Sequence, residues 1–256
     1  MKRKIAIVTG TRAEWGLLSP IARGLRERPD VEVQVIATNM HLIPRLGNTV
    51  EEIIADGFEP AARVPMDVDG DTDADKVKAM SLCLSGMADA FSQLCPDMVV
   101  ILGDRYEMLA VASAALMMHI PILHIAGGEI SEGAVDDSIR HAITKMASLH
   151  LTATEPYRQR VIQMGENPQY VINTGAIGVY NIMCEPVMPL DELRASVGFD
   201  IDDNTLLVTY HPATLDSASA ASRFGELLAA LDRFPDCKVL FTYPNNDASG
   251  AVIVDM

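Results

Sequence analysis

The sequence is poor in positive charge, in aromatic rings and in cysteine, and it has no long apolar run. Lysine and arginine number 20 against 35 aspartates and glutamates, a formal net charge of −15. A surface that tracks a polynucleotide needs a basic stripe, so this balance argues against a nucleic-acid partner. It leaves room for a small anion, because a few arginines in one cleft act locally whatever the bulk charge. The four cysteines, Cys83, Cys95, Cys184 and Cys237, form no C-x-x-C pair and no histidine stands at finger spacing, which argues against a zinc site. They read as reduced thiols of a cytoplasmic protein. The opening Met1–Val8 has a basic start, but its apolar stretch ends at Thr9, short of a secretory core. Nowhere does an apolar run approach the ~20 residues of a membrane span.

What remains is 49 % apolar, with aromatics at only 5 %. Ala, Val, Ile, Leu and Met carry that load, which suits helices packed on a buried parallel sheet. Short apolar runs at Ile5–Val8, Val31–Ala37, Met98–Leu102, Ile120–Ile125, Leu149–Ala153 and Tyr170–Ile172 predict strands. Helical patterns alternate with them at Leu17–Arg28, Asp75–Leu94, Glu107–Met118, Asp136–Ala147 and Glu155–Met164. The alternation implies right-handed βαβ units and a doubly wound α/β sheet.

Asn181–Pro189 breaks the pattern and reads as a linker between units 1–182 and 183–256. The second unit predicts a helix at Leu190–Val197, a strand at Leu206–Thr209, a helix near Ser219–Phe234, a strand at Lys238–Thr242 and a helix starting near Ala248. Its roughly 70 residues make a thin domain, so the chain is expected to stop partway through a second α/β domain. Five aspartates alternate between Asp67 and Asp75. An EF-hand loop needs Gly sixth and Glu twelfth; here Gly70 is fourth and Lys78 twelfth, so the stretch reads as a solvated loop.

Ligands of open α/β sheets bind outside the carboxyl ends of the strands, where the strand order reverses. With the order 3-2-1-4-5-6, the residues that matter follow strands one, four and five. After the first comes Gly10-Thr11-Arg12-Ala13-Glu14-Trp15-Gly16, which is neither G-x-G-x-x-G nor a P-loop. It still offers backbone amides, a helix N-terminus and Arg12 to an anion. After the fourth comes Gly103-Asp104-Arg105-Tyr106-Glu107. Asp104 could be a helix cap, or it and Arg105 could sit opposite Arg12 across the crevice. After the fifth come Gly127-Gly128-Glu129 and Asp136-Asp137-Ser138-Ile139-Arg140-His141. Asp136 suits a helix cap, and Asp137 and His141 share a helix face. His124 and His150 lie in apolar strands and read as core histidines. In the second unit, His211 ends one strand and is expected to face the first unit across a cleft; Asn245 follows the next strand.

Taken in order, Gly10–Glu14, Gly103–Arg105, His124-Ile125-x-Gly127-Gly128-Glu129, the run Asp136–Lys145, His211-Pro212 and Pro244-Asn245 resemble the hydrolysing UDP-N-acetylglucosamine 2-epimerase family of the sialic- and legionaminic-acid type. The resemblance implies a GT-B-like pair of Rossmann-like domains, the second incomplete here. It implies a nucleotide sugar, no metal or redox cofactor, no membrane and a homo-oligomer. Carried onto this chain, Asp104, Glu129, Asp136 and Asp137 would be the acid–base group. Arg12, Arg105, His211 and Asn245 would hold the nucleotide, with His141 beside the substrate and His211 also stabilising the departing diphosphate. The sequence departs from several relatives in having Ala126 where they carry Glu. It also has no counterpart of the family's later uridine-diphosphate loop before Met256. A glycosyltransferase of the same double design, and a non-catalytic remnant, are the rival readings.

Overall fold

The computed structural model describes residues 2–44, 47–66, 68, 70, 72–132, 134–184, 186–211, 220–243 and 250–256. Its contacts divide the chain into two units, Met1–Glu132 with Asp136–Met183, and Cys184–Met256 with 133–135. In the first unit the apolar runs form β1 (Arg3–Thr9), β2 (Val31–Thr38), β3 (Ala62–Val64), β4 (Met98–Leu102), β5 (Ile122–Ile125), β6 (Leu149–Thr152) and β7 (Val171–Asn173). They pair in the order β3-β2-β1-β4-β5-β6-β7, every pairing parallel. The order reverses between β1 and β4, as the sequence predicts. Strand β3 escaped prediction because it is three residues long and closely flanked by Pro60 and Pro65.

Strand alternation divides the core between the two faces. Ala6, Val8, Val99 and Ile101 bury against α3 (Asp73–Leu94) and α4 (Tyr106–Met117). Ile7, Val100 and Leu102 bury against Trp15, Leu18 and Ala22 of α1 (Arg12–Arg26) and Val50 and Ile53 of α2 (Val50–Ala55). Each fully buried aliphatic side chain contributes about 1.5–3 kcal/mol. α1 starts five residues before the predicted Leu17, because Thr11 and Glu14 form a capping box ahead of the apolar stripe. α5 (Asp136–Met146) and α6 (Glu155–Gln163) follow prediction closely. The predicted linker is partly helical: α7 (Ile177–Cys184) extends into it, and Asn181 Nδ2 donates to the Gly16 carbonyl (3.1 Å).

The second unit contains α8 (Leu190–Val197), β8 (Thr205–Val208), α9 (Ala220–Leu231), β9 (Lys238–Phe241) and α10 (Gly250–Asp255), with β8 and β9 parallel. Gly198, at φ 63, supplies the left-handed stop of α8. Phe224 packs between Tyr210 and Phe241, with ring centroids 5.3 and 6.0 Å away. Among the described residues no helix is long and apolar enough to cross a membrane.

Candidate active site

The turn between β4 and α4 separates two neighbouring side chains. Gly103 turns at φ 72, and Arg105 follows in extended conformation (φ −68, ψ 149) as the backbone cap of α4. Asp104 is therefore not the helix cap, and its carboxylate is free for other work. It goes towards α5, whereas Arg105 goes towards β1 and β2.

On the α5 side, Asp137, Arg140, His141 and Thr144 occupy positions i, i+3, i+4 and i+7 and form one helix face. Arg140, only 5 % exposed in its side chain, donates to the Asp104 carboxylate through Nη2 and lies 3.6 Å from Asp137 Oδ1 through Nη1. Ser131 joins them: its hydroxyl accepts from Arg140 Nη2 (2.9 Å) and its amide donates to Asp137 Oδ1 (3.0 Å). His141 Nε2 stands 3.6 Å from Asp137 Oδ2. One buried guanidinium thus binds two carboxylates that remain partly open, at 23 % and 34 % exposure. Behind this group, Thr144 Oγ1 contacts His124 Nδ1 (3.1 Å), and His124 Nε2 reaches the Gly103 carbonyl (2.8 Å). His124 is a core histidine that ties α5 to the residue before Asp104. Its burial pushes its pKa down to about 4, so it stays neutral.

On the other side lies a second group that the sequence reading did not assign. Glu107 is fully buried and accepts at Oε1 from Arg105 Nε (2.8 Å) and Asn39 Nδ2 (2.8 Å). Glu14 is buried as well, and its Oε2 accepts from the amides of Gly10 (2.7 Å) and Thr11 (3.1 Å). Desolvation, and then the charge of Glu107, raise the pKa of Glu14 to about 7. A Cβ on Gly10 would lie 2.5 Å from Glu107 Oε1, so any side chain there would force the Glu107 carboxylate to shift. The anion position expected at the start of α1 is therefore filled from within, by Glu14. The T-x-x-E pattern of Thr11 and Glu14 could have flagged this carboxylate; no local signal marks Glu107.

The other expected residues are dispersed. Arg12 does not meet Asp104: its Nε lies 3.4 Å from Glu52 Oε1 on α2, with the side chain 74 % exposed. It is the first residue of α1, and its side chain is open to solvent. Arg105 is turned inward to Glu107 instead of standing beside Asp104. Glu129 is half-buried, and desolvation raises its pKa. Asp136 is the first residue of α5 and is partly buried. His150 is buried against Glu166, Nε2 to Oε2 3.3 Å, as a core histidine. Ala126 holds φ 65, a left-handed conformation costing on the order of 1 kcal/mol for a residue with a side chain. In the second unit His211 is exposed beyond β8. A 330 Å³ cavity there is lined largely by apolar groups, including Phe224, Leu228, Phe241 and Ile253. Asn245, Pro212 and Pro244 lie outside the described residues, as do Asp67, Asp69 and Asp71 of the acidic segment.

Residues 23–256 match the family model described as UDP-N-acetylglucosamine 2-epimerase. The GDP/UDP-N,N'-diacetylbacillosamine 2-epimerase (hydrolyzing) of Campylobacter jejuni is 42 % identical over 98 % of this chain and 65 % of its own length. The UDP-N,N'-diacetylbacillosamine 2-epimerase (hydrolyzing) of Legionella pneumophila is 38 % identical over 99 % of this chain and 67 % of its own. The chain thus spans about two thirds of the length of these relatives. Among solved structures, the UDP-GlcNAc 2-epimerase of Neisseria meningitidis bound to UDP-GlcNAc superposes with a TM-score of 0.79 at 16 % identity, over 98 % of this chain and 68 % of that one. The α/β fold is shared with that GT-B-like group.

Proposed function

The chain belongs to the UDP-N-acetylglucosamine 2-epimerase family, and from that membership we propose that it carries the acid–base half of a hydrolysing 2-epimerase. The substrate class is a UDP- or GDP-linked acetamido sugar, with a diacetamido sugar favoured by the two relatives named above. The products are the free 2-epimeric sugar and the nucleoside diphosphate. We place the reaction in the cytoplasm, in keeping with four unpaired cysteines among the described residues.

The observation that carries this reading is the convergence of Asp104 and Asp137 on one buried guanidinium, at the carboxyl ends of the strands. A carboxylate base removes the C2 proton while the C1–oxygen bond breaks, and the electron pair leaves with the diphosphate. The resulting glycal takes hydroxide from water at C1 and a proton at C2 from the opposite face. Two faces require two acid–base groups, and Asp104 with Asp136 or Asp137 is the pair we assign. Arg140 holds Asp104 and Asp137 on one guanidinium and so fixes the distance between them. Glu129, whose burial favours the protonated form, is the candidate proton donor on this loop. His141, 3.6 Å from Asp137, orients that carboxylate. Arg12, exposed at the start of α1, is the guanidinium of this unit that we assign to the diphosphate. Arg105 is not given that role, because its guanidinium pairs with Glu107.

Asp104→Asn keeps the shape and removes the base. In a chain that turns over the nucleotide sugar, it should lower nucleoside-diphosphate release by at least ~100-fold, the usual worth of a positioned general base. Release at the unmodified rate would remove Asp104 from the scheme.

A further inference from the structure

We propose that Glu14 and Glu107 hold one proton between them and act together as positioning residues that keep Arg105 turned away from Asp104. The argument begins with charge. Two buried carboxylates and one guanidinium meet at the mouth of β1 and β4: Glu107 on Arg105, and Glu14 beside them through Gly10. With both carboxylates ionised, these two buried acids and one guanidinium would carry a net negative charge away from solvent. With one proton it is neutral.

The hydrogen bonds place that proton. Glu107 Oε1 receives the charged donor of Arg105 and the amide of Asn39, so Glu107 is the ionised member. Glu14 receives only the two backbone amides, both on Oε2, and its Oε1 is buried with no hydrogen-bond partner among the described residues. Glu107 Oε2 is likewise buried without one. A lone carboxylate oxygen in that setting is costly as an anion and far less so as a carboxylic acid. Among the described residues, the other titratable groups facing the pair do not supply the missing charge. His41, bonded to Thr9 (3.0 Å) and Thr49 (2.9 Å), is held neutral by burial, as are the Tyr106 phenol and the Cys83 thiol.

The consequence reaches the site. Arg105 and Asp104 are neighbours, and an unrestrained guanidinium would compete with Arg140 for the Asp104 carboxylate. Glu107 anchors Arg105 on the far side, so Asp104 keeps one cation and its pairing with Asp137. This catalytic consequence rests on the reading of Asp104 as an acid–base group; the proton count does not.

The test is a titration of the full chain carrying glutamate labelled with carbon-13 at the side-chain carboxyl, with nitrogen-15 in arginine. One glutamate carboxyl should titrate near pH 7. That signal should vanish in Glu14→Gln, and its midpoint should fall in Glu107→Gln, where the like charge is gone. The Arg105 Nε proton should exchange slowly in the wild type and lose that protection in Glu107→Gln. All glutamates titrating in the ordinary carboxylate range, or a near-neutral signal that survives Glu14→Gln, would overturn the shared proton. Retained protection of Arg105 in Glu107→Gln would overturn the positioning role. If Glu107→Gln does not fold, the wild type and Glu14→Gln decide the proton, and Glu107→Asp, whose shorter arm loosens the contact, decides the protection. Unaltered turnover in Asp104→Asn would sink the catalytic reading and leave the titration standing.

Discussion

Two groups flank the β4–α4 turn with the same ingredients, two carboxylates and one arginine, and they are suited to different work. Around Arg140 the carboxylates of Asp104 and Asp137 keep 23 % and 34 % of their surface open. Around Arg105 the carboxylate of Glu107 is fully buried and Glu14 nearly so. Water decides the contrast. Open carboxylates on a guanidinium can meet a substrate; two closed ones beside a single guanidinium carry a desolvation cost as a pair of anions. Ion-pair chemistry alone therefore does not separate the two groups; the remaining exposure does.

The sharpest way to break this comparison is Arg140→Met. It leaves Asp104 and Asp137 facing each other without a counter-charge. Because both aspartates keep contact with water, the loss should fall below the roughly 3–5 kcal/mol of a fully buried pair but stay above ~1 kcal/mol, readable as a fall in the urea midpoint, and acid–base function should be lost with it. A stability change under ~1 kcal/mol would show that the two aspartates do not depend on Arg140.

Gly10→Ala strikes the closed group instead. The new methyl would press on Glu107 Oε1, and overpacking of this sort costs roughly 1–3 kcal/mol. Equilibrium unfolding measures it; a neutral result would mean that Glu107 has room to retreat.

The smallest effect concerns acid. His124 is neutral in the folded protein with a pKa of about 4, below the ordinary 6.5 of the unfolded chain. Its contribution is present above pH 6.5 and is lost as the pH falls towards 4, because only the unfolded chain takes up the proton. Glu14 acts in the opposite sense: its raised pKa adds stability that disappears as the pH rises from about 4.5 to about 7. Unfolding midpoints of His124→Gln between pH 4 and 7 should decline less steeply towards acid than those of the wild type. Parallel curves would place the folded titration of His124 near its ordinary value.

Much of this architecture was legible along the chain. The strand and helix positions and the face of α5 that presents Asp137 and His141 followed from periodicity, because strand and helix repeats are local properties; the strand order and the reversal beside β4 came from the common doubly wound arrangement. The α1 start was missed because its cap precedes the apolar stripe, and β3 because three residues carry no period. At the site, Asp104 was found as a strand-end residue, but its partner was assigned to Arg12 and Arg105. Both guanidiniums point elsewhere: Arg12 outward to Glu52, Arg105 inward to Glu107. The run that most specifically carried the resemblance, Asp136–Lys145, supplied the partner in Arg140, which the motif contained without a role.

By itself the sequence determined the repeating α/β pattern, the acidic surface and the motifs that mark the family. Those depend on residue type and spacing along one chain. Only the tertiary structure decided which carboxylate meets which guanidinium and which pair is sealed from water. That choice depends on the side to which a turn sends each of two adjacent side chains, and on how much protein closes over them.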